Sequence, residues 1–551
     1  MAPITVKIKH AGRVHDVQLD PDQPATIFKD AVYQVTGVPP DRMKVMIKGG
    51  VLKDDTDWRK VAPKEGQTFM VIGAAGELPK PPPKPIVFLE DMDDAELAEA
   101  LALPVGLTNL GNTCYLNATL QAMRAIPELQ VALKSWEGTS AGTGDQTQTA
   151  LVRQLRALFQ QMLASPDSVA PAMFLAALRS AFPQFGEMSR SGGKGMGGMY
   201  AQQDAEEAWS QLVTTLKVVP GLPESSGAAA NKTFVEQFMT GEILRELKCD
   251  EAPDEPPTST VEKILKLSCN ITINTNYMLT GILDALDDKI EKNSPSLGRE
   301  AVYTSKSRIT RLPSYLTVHM VRFAWRRDIG KKAKIMRKVK FPTEFDAVDL
   351  VTDELKAKVL PASTKLKDIE RDRRERRKVR KRTKNASAAP APGETKMDVD
   401  PPAPATEPAA GPSAPVLGDL EDEHVYRERE VKELEALVHP DLKADVGSCA
   451  TGLYDLVAII THKGAAADAG HYIGFVKKSA LHPTAYAAAA AAVAGSASGA
   501  TVQTIDEDDE DWYKFDDDKV SVFPQEKLTT LDGGGEDSSA YLLLYKAKPL
   551  V

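Results

Sequence analysis

A cysteine at the start of an apolar helix is the feature of this 551-residue sequence that most suggests chemistry. Cys114 lies in GLTNLGNTCYLNATLQ, and the apolar residues Leu116, Leu120 and Met123 that follow it recur at helical spacing. The thiol is therefore expected in the first helical turn, where free backbone N–H groups and the helix dipole favour a negative charge. This pattern predicts a reactive thiolate. The alternative is a small buried apolar side chain, which is common for free cysteine.

A cysteine nucleophile needs a base and a third group that orients the base. The segment YDLVAIITH alternates like a strand, KGAAADAG is typical of a loop, and HYIGFVKK predicts a returning strand that His471 opens. In DWYKFDDDKVSVF three aspartates interrupt a strand, and Asp516 can project from the strand end toward an imidazole. The alternatives are a hydrogen-bonded edge residue for His471 and a solvated turn for Asp516 to Asp518.

The composition excludes several classes of protein. A hydrophobic fraction of 42% and a charged fraction of 26% fit a soluble globular protein, and the net charge of −9 argues against a nucleic-acid binder. The N-terminus lacks the long apolar core of a signal peptide, and no stretch approaches a membrane span. Four scattered cysteines indicate a reducing compartment, and without a CxxC pair a zinc ribbon is not expected.

The chain divides into a small and a large domain by its pattern. Residues 1–73 alternate as ββαβ…β, the order of a β-grasp, and residues 74–85 form a proline-rich linker. Residues 86–551 are expected to form one large domain that carries two disordered insertions, at about 371–423 and 479–511. The first insertion begins with a basic run from Arg371 to Lys384, which predicts either a nuclear-import or polyanion-binding patch or a solvated charged segment.

Five motifs resemble those of the ubiquitin-specific protease family, which are cysteine peptidases that cleave ubiquitin from proteins. In chain order they are GLTNLGNTCYLNATLQ, QQDAEEAW, LPSYLTVHMVRF, GHYIGFVKK with WYKFDDDKVS, and AYLLLYKA. The first 73 residues resemble ubiquitin itself, most clearly in GVPPDRMKVMIKGGVLKDD. A ubiquitin-like N-terminus on a short linker is typical of the proteasome-associated members of the family.

The resemblance implies an α+β fold, with an N-terminal ubiquitin-like β-grasp domain followed by a papain-like catalytic domain of thumb, palm and fingers. It implies that Cys114 is the nucleophile, that His471 takes and later returns the proton, and that Asp516 holds the imidazole. Asn109 matches the family's oxyanion donor, which would act together with the backbone N–H of Cys114.

The same resemblance implies a narrow channel for the Gly-Gly end of ubiquitin. Asp204 matches the family residue that grips the extended tail. The further candidates for lining this channel are Gln202, Gln203, Phe323, His462 and Tyr472. For Phe323 and Tyr472, packing in the core is the alternative role.

No cofactor is implied. Many relatives hold zinc in the fingers with two CxxC pairs, but Cys249 and Cys269 stand singly here, so we expect metal-free fingers. The implied partners are ubiquitin conjugates and the regulatory particle of the 26S proteasome, with no membrane partner.

The ubiquitin-like domain is the implied contact with the proteasome, and Met46 aligns with the central isoleucine of ubiquitin's recognition patch, between Lys44 and Lys48. An isolated exposed apolar residue is the alternative for Met46. The expected location is cytoplasmic and nuclear, in association with the proteasome.

Two other functions remain open at this point. A non-catalytic adaptor between ubiquitin and the proteasome would keep the fold, but the intact catalytic residues argue against it. A nuclear polyanion-binding protein would act through the basic run from Arg371 to Lys384.

Overall fold

A computed structural model describes the chain in two compact units, one within Met1–Ala102 and one within Leu103–Val551. The described residues are 3–73 without 37, 39, 41–42, 48–49, 55 and 57, and then 103–138, 146–188, 200–223, 232–327, 330–388, 421–466, 469–494 and 509–550. The predicted linker at 74–85 lies outside them. Within these ranges, the helices are too short or too polar to cross a bilayer.

The first unit is a β-grasp, as its alternation predicts. Its five-stranded sheet has the order β2-β1-β5-β3-β4, with β1 and β5 parallel. Helix α1 covers one face because Phe28 and Val32 on that helix are buried among the inward-facing strand residues. The elements are β1 (Ile4–His10), β2 (Arg13–Leu19), α1 (Ala25–Thr36), β3 (Lys44–Ile47), β4 (Gly50–Val51), α2 (Trp58–Val61) and β5 (Thr68–Ile72).

The second unit begins with a helical thumb and adds further helices along the chain. Those of the thumb are α3 (Cys114–Arg124), α4 (Pro127–Ser135), α5 (Gln146–Ala164), α6 (Ala172–Ala181), α7 (Ala205–Thr215) and α8 (Phe234–Phe238). The later ones are α9 (Met278–Leu286), α10 (Asp353–Ala388), α11 (Glu423–Leu437), α12 (Pro440–Ala444), α13 (Lys478–Leu481) and α14 (Pro483–Ala494).

Two sheets supply the fingers and the palm. The four-stranded sheet of the fingers has the order β7-β6-β10-β9, and the palm sheet has the main path β18-β17-β16-β15-β19-β11-β8. The first strands are β6 (Gly241–Cys249), β7 (Thr258–Ile264), β8 (Leu267–Asn270), β9 (Asp287–Ser294), β10 (Arg299–Arg311), β11 (Tyr315–Val321), β12 (Phe323–Arg326) and β13 (Lys331–Lys334). The others are β14 (Glu344–Asp346), β15 (Leu453–Ala466), β16 (Ala469–Lys477), β17 (Trp512–Asp516), β18 (Lys519–Phe523) and β19 (Ser539–Ala547).

Helix α3 is buried along its whole length, and this fixes it between the thumb and the palm. It packs on β16 so closely that a Cβ added at Gly474 would lie 3.4 Å from Cα of Ala118. Its predicted apolar residues Leu116, Leu120 and Met123 are fully buried. The helix therefore cannot shift without disturbing the core, and its first residue, Cys114, has a fixed position beside the palm sheet.

The architecture confirms the predicted fold class, a β-grasp unit followed by a thumb, palm and fingers. One local prediction is wrong: the segment KGAAADAG is not wholly a loop, because β15 continues to Ala466 and β16 begins at Ala469, where the two strands pair. The alternation there is hidden in the sequence by small residues.

The prediction of disorder from 371 onward is wrong for residues 371–388, which continue helix α10. The sequence around the basic run does not indicate this helix, because the acidic partners of its arginines lie about 50 residues later in the chain. Arg373 Nε donates to Glu430 on α11 at 2.7 Å, and both side chains are nearly buried. Arg376 pairs with the same glutamate at 2.6 Å. Below these ion pairs, Leu366, Ile369, Leu434 and Leu453 form a small apolar core.

The prediction of disorder over 479–511 is wrong for residues 479–494, which form parts of helices α13 and α14. Alanine is the strongest helix former, and a short alanine run helps to form a helix when one side can be buried. Ala489 is buried in the thumb core, and Tyr486 lies under the ammonium group of Lys134 on α4. Residues 389–420 and 495–508 lie outside the described part of the chain.

Candidate active site

Cys114, His471 and Asp516 lie together where the start of helix α3 meets strands β16 and β17. The ring nitrogen Nε2 of His471 lies 2.6 Å from Oδ1 of Asp516, and the imidazole is close enough to the Cys114 thiol for that group to affect its pKa. Since Nε2 engages Asp516, Nδ1 is the nitrogen left for the thiol. The imidazole of His471 therefore lies between the Cys114 thiol and the Asp516 carboxylate and is hydrogen bonded to the carboxylate.

The side chains of this site affect one another's pKa values. The neighbouring Cys114 side chain, supported by Asp516 and opposed by burial, raises the pKa of His471 to about 9. Burial disfavours the ionised form of Asp516, but the hydrogen bond and charge of His471, with Lys514 at 3.4 Å, outweigh it and lower the pKa of Asp516. The site thus stabilises an imidazolium between two acidic groups, as a thiolate nucleophile requires.

Asn109 lies in the turn before helix α3, and its amide is partly engaged. Its Nδ2 donates to Oδ2 of Asp517 at 2.8 Å, and its Oδ1 accepts from the N–H of Gly111 at 2.9 Å. The amide nitrogen carries two hydrogens, and Asp517 takes one of them. The side chain is exposed, and none of its described hydrogen bonds uses the second hydrogen.

Asp517 is a residue whose position sequence reasoning did not assign. The pattern of three aspartates left Asp516 and Asp517 as near equivalents, but the structure separates them. Asp517 has a positive φ of 55°, and its Oδ1 accepts from the side-chain amide of Asn117 on helix α3 at 2.8 Å. Its backbone carbonyl accepts from the N–H of Leu107 at 3.0 Å. Asp517 therefore ties the loop before Cys114 to the strand that carries Asp516.

One group of described side chains is close enough together to hold a metal ion: His471, Asp516 and Asp517, with ligand atoms within 4.8 Å of one another. In this structure Nε2 of His471 is hydrogen bonded to Asp516. In the fingers and palm, Cys249 on β6 and Cys269 on β8 lie in different sheets and belong to different buried clusters.

Most of the predicted channel residues form a second cluster beside the first. The His462 ring lies between Phe323 and Tyr472, with centroid distances of 5.0 and 4.8 Å. Asp204 caps helix α7 by accepting from the N–H of Glu206 at 2.8 Å. No described contact joins Gln203 to this cluster. Its neighbour Gln202, with His462 and Tyr472, has buried polar side-chain atoms that lack a partner among the described residues.

Sequence reasoning also missed Tyr541, which lies at the centre of the second cluster. Its hydroxyl donates to both carboxylate oxygens of Asp204 at 2.8 Å, and its ring contacts Phe323 and Tyr472. In AYLLLYKA the tyrosine is one apolar-looking residue of a buried strand, so the sequence alone offers no signal for its role.

Lys334 closes the second cluster from the side of strand β13. Its ammonium group donates to the backbone carbonyl of His462 at 2.9 Å and to that of Asp537 at 3.0 Å. Burial, followed by the charges of Lys334 and His471, lowers the pKa of His462 to about 4, so its imidazole is neutral. In this structure His462 and Tyr472 are fully buried, which agrees with core packing as the alternative role for Tyr472.

Comparison with known proteins shows the family. The sequence profile described as "Ubiquitin carboxyl-terminal hydrolase" matches residues 105–545, and that of the ubiquitin family matches residues 4–75. Ubiquitin carboxyl-terminal hydrolase 6 of Schizosaccharomyces pombe is 38% identical, and its namesake in Arabidopsis thaliana is 36% identical; each match covers 99% of both chains. Ubiquitin carboxyl-terminal hydrolase 14 of Caenorhabditis elegans is 30% identical over 98% of this chain and 93% of its own.

These matches span both units, and the cysteine, the histidine and the aspartate meet within the range of the hydrolase profile. The chain belongs to the ubiquitin carboxyl-terminal hydrolase family and is a thiol-dependent deubiquitinase with an N-terminal ubiquitin-like domain.

Proposed function

We propose that this enzyme trims ubiquitin from conjugates held at the proteasome, and that it does so through Cys114, His471 and Asp516. The observation that carries the chemistry is the 2.6 Å hydrogen bond between His471 and Asp516, with the Cys114 thiol close enough to raise the pKa of that imidazole. Cys114 attacks the carbonyl of the last glycine of ubiquitin. His471 gives its proton to the leaving amine, and Asp516 keeps the ring in the orientation that this transfer needs.

Asn109 and the backbone N–H of Cys114 are the proposed donors to the oxyanion of the tetrahedral intermediate. A donor of this kind is worth about 2.7–4 kcal/mol of barrier in related chemistry. Asp517 supports this role because it accepts one hydrogen of the Asn109 amide and so orients the group, while the second hydrogen stays available.

Asp204 is the proposed contact for the extended tail of ubiquitin. Phe323, His462 and Tyr472 would flank the tail if the buried cluster opens around it. The unpartnered polar atoms of Gln202, His462 and Tyr472 support this proposal, because buried polar groups without partners are costly and a peptide backbone could satisfy them.

The proteasome contact is proposed for the open face of the ubiquitin-like sheet. Met46 pairs directly with Met70 and Val51 on the neighbouring strands, so the three side chains share one face. All three are exposed, and Ile72 extends the same surface. Met46 is therefore not an isolated apolar residue. Its neighbour Lys48 lies outside the described residues.

The same proposal places the enzyme in the cytoplasm and the nucleus, where it would accompany the proteasome. A non-catalytic adaptor would not need the paired histidine and aspartate beside the Cys114 thiol. Arginines of the basic run pair with the protein's own acidic residues, Arg373 with Glu430 and Arg374 with Glu344, which disfavours a polyanion patch.

The test measures hydrolysis of a fluorogenic ubiquitin C-terminal amide with and without added proteasome. The wild type should release the fluorophore in a Cys114-dependent way and more rapidly with proteasome present. Met46→Asp should lose proteasome recovery in a pull-down, whereas Ile27→Asp, which changes an exposed apolar residue on the opposite, helical side of the domain, should keep it. Equal recovery by both variants would exclude the sheet face as the docking surface.

A further inference from the structure

We propose that Tyr541 is a positioning residue that holds the Asp204 carboxylate in place as the acceptor for the ubiquitin tail. This inference rests on the proposed role of Asp204. It adds a residue of strand β19, at the far end of the chain, to the machinery that recognises the tail.

The hydrogen bonds define what Tyr541 does. Its hydroxyl lies 2.8 Å from Oδ1 and 2.8 Å from Oδ2 of Asp204, so one proton is shared between both oxygens. Such a bifurcated contact fixes the rotation of the carboxylate about its last bond. Oδ1 also accepts from the N–H of Glu206, which leaves Oδ2 as the oxygen with more acceptor capacity for a ligand.

The tyrosine itself is held rigidly. Its ring meets His319 and Phe323 edge to face at centroid distances of 5.1 and 5.4 Å, and Tyr472 lies 6.1 Å away. Because the ring is buried and lies on a central strand of the palm, its hydroxyl has one accessible orientation. The helix cap made by Asp204 uses the Glu206 N–H and does not need Tyr541, so the two contacts are separable.

The surrounding charges show why this support is needed. Burial raises the pKa of Asp204, while the Tyr541 hydrogen bond opposes that rise. Of the other groups that face Asp204, Glu206 opposes its ionisation and His319 favours it, and Tyr472 adds a neutral hydroxyl. Lys266 pairs with Glu206. Loss of the Tyr541 hydroxyl therefore favours protonation of Asp204, and a protonated carboxyl is a weaker acceptor.

The experiment measures the Kd for free ubiquitin as a function of pH, with Cys114→Ala as the parent so that the catalytic groups do not turn over. Tyr541→Phe keeps the ring and removes the hydroxyl. We expect it to weaken binding about tenfold near neutral pH, the usual effect of losing a hydrogen bond to a charged group, with a larger loss toward acidic pH.

Tyr545→Phe is the matched control. Tyr545 lies on the same strand and is equally buried, but its hydroxyl donates to the carbonyl of Pro342 at 2.7 Å, away from Asp204. Tyr545→Phe should lower the thermal unfolding midpoint by about as much as Tyr541→Phe does. Unlike Tyr541→Phe, it should leave the pH dependence of Kd unchanged.

Two results would overturn the positioning role. One is unchanged binding by Tyr541→Phe where Asp204→Asn binds poorly; the other is an equal, pH-independent loss in Tyr541→Phe and Tyr545→Phe, which would mark a structural effect. Failure of the proposed function looks different, because the parent itself would then bind no ubiquitin at any pH.

Discussion

Asp517 and Asn117 join the last strands of the palm to the catalytic helix, with the carboxylate 2.8 Å from the side-chain amide. The same carboxylate receives Asn109, so it is held by two amides at once. An aspartate held in this way is not free to replace Asp516 beside His471. The two adjacent aspartates therefore have different tasks, one toward the base and one toward the loop of the nucleophile.

Asp516→Asn and Asp517→Ala should accordingly fail in different ways. Asp516→Asn should lower kcat by roughly 10²–10⁴-fold, because the imidazole loses the group that orients it. Asp517→Ala should lower kcat by about tenfold or more by releasing Asn109, since an oxyanion donor is involved. Steady-state kinetics on a ubiquitin amide would measure both. If Asp516→Asn has an activity close to that of the wild type, Asp517 takes over the role of orienting His471.

The charge on His471 predicts the alkaline limit of activity. Its pKa is raised to about 9, so the imidazolium persists at neutral pH and is lost as the pH rises through about 9. We expect kcat/KM to fall with a midpoint in that region. Asp516→Asn should move this limb to lower pH, and Asp517→Ala should leave it in place. A pH–rate profile from pH 6 to 10 distinguishes the two.

The same group links stability to pH. The folded pKa of His471 lies above its ordinary value of 6.5, so its contribution to stability is complete below about 6.5 and disappears as the pH rises through about 9. Cys114→Ala removes the largest cause of the shift. Between pH 6.5 and pH 9, the thermal unfolding midpoint of the wild type should therefore fall further than that of Cys114→Ala. An equal fall of the midpoint in both proteins would contradict the raised pKa of His471.

The sequence predicts the parts of this site that depend on local pattern. Helical spacing around Cys114 places it at the start of a helix, which the structure confirms, and alternation around His471 predicts its strand, although that strand begins two residues earlier, at Ala469. The contacts of Asp517 and Tyr541 join residues about 400 and 337 positions apart, and local pattern carries no record of such distances. The prediction of disorder from Arg371 onward is wrong for the same reason, because the glutamate partners of this basic run are far along the chain.

The pair between Arg373 and Glu430 provides a test of the corrected insertion. Arg373→Ala should destabilise the protein by roughly 1–3 kcal/mol, because it leaves a nearly buried glutamate with fewer partners. Arg371→Ala is the control, since Arg371 is exposed and its pair with Asp368 should contribute at most about 1 kcal/mol. Urea denaturation compares the two. Equal effects would indicate that the end of helix α10 does not pack on α11.

Helix α14 allows a similar comparison between adjacent alanines. Ala489 is buried against the thumb and Ala488 is exposed. Ala489→Glu places a charge in that contact and should lower the thermal unfolding midpoint by several degrees, as a cost of about 1–3 kcal/mol implies. Ala488→Glu should change the midpoint little. The reverse order of effects would show that the helix docks through another face.

The most direct test of the central claim is to identify the atom that reacts with ubiquitin. Ubiquitin with a C-terminal electrophile is incubated with the wild type and with Cys114→Ala, Cys249→Ala and Cys449→Ser, and the adduct is mapped by mass spectrometry of peptides. We predict a single covalent adduct on Cys114 in the wild type and in the Cys249→Ala and Cys449→Ser variants, and none in Cys114→Ala. An adduct on Cys249, Cys269 or Cys449, or labelling that survives in Cys114→Ala, would contradict the account.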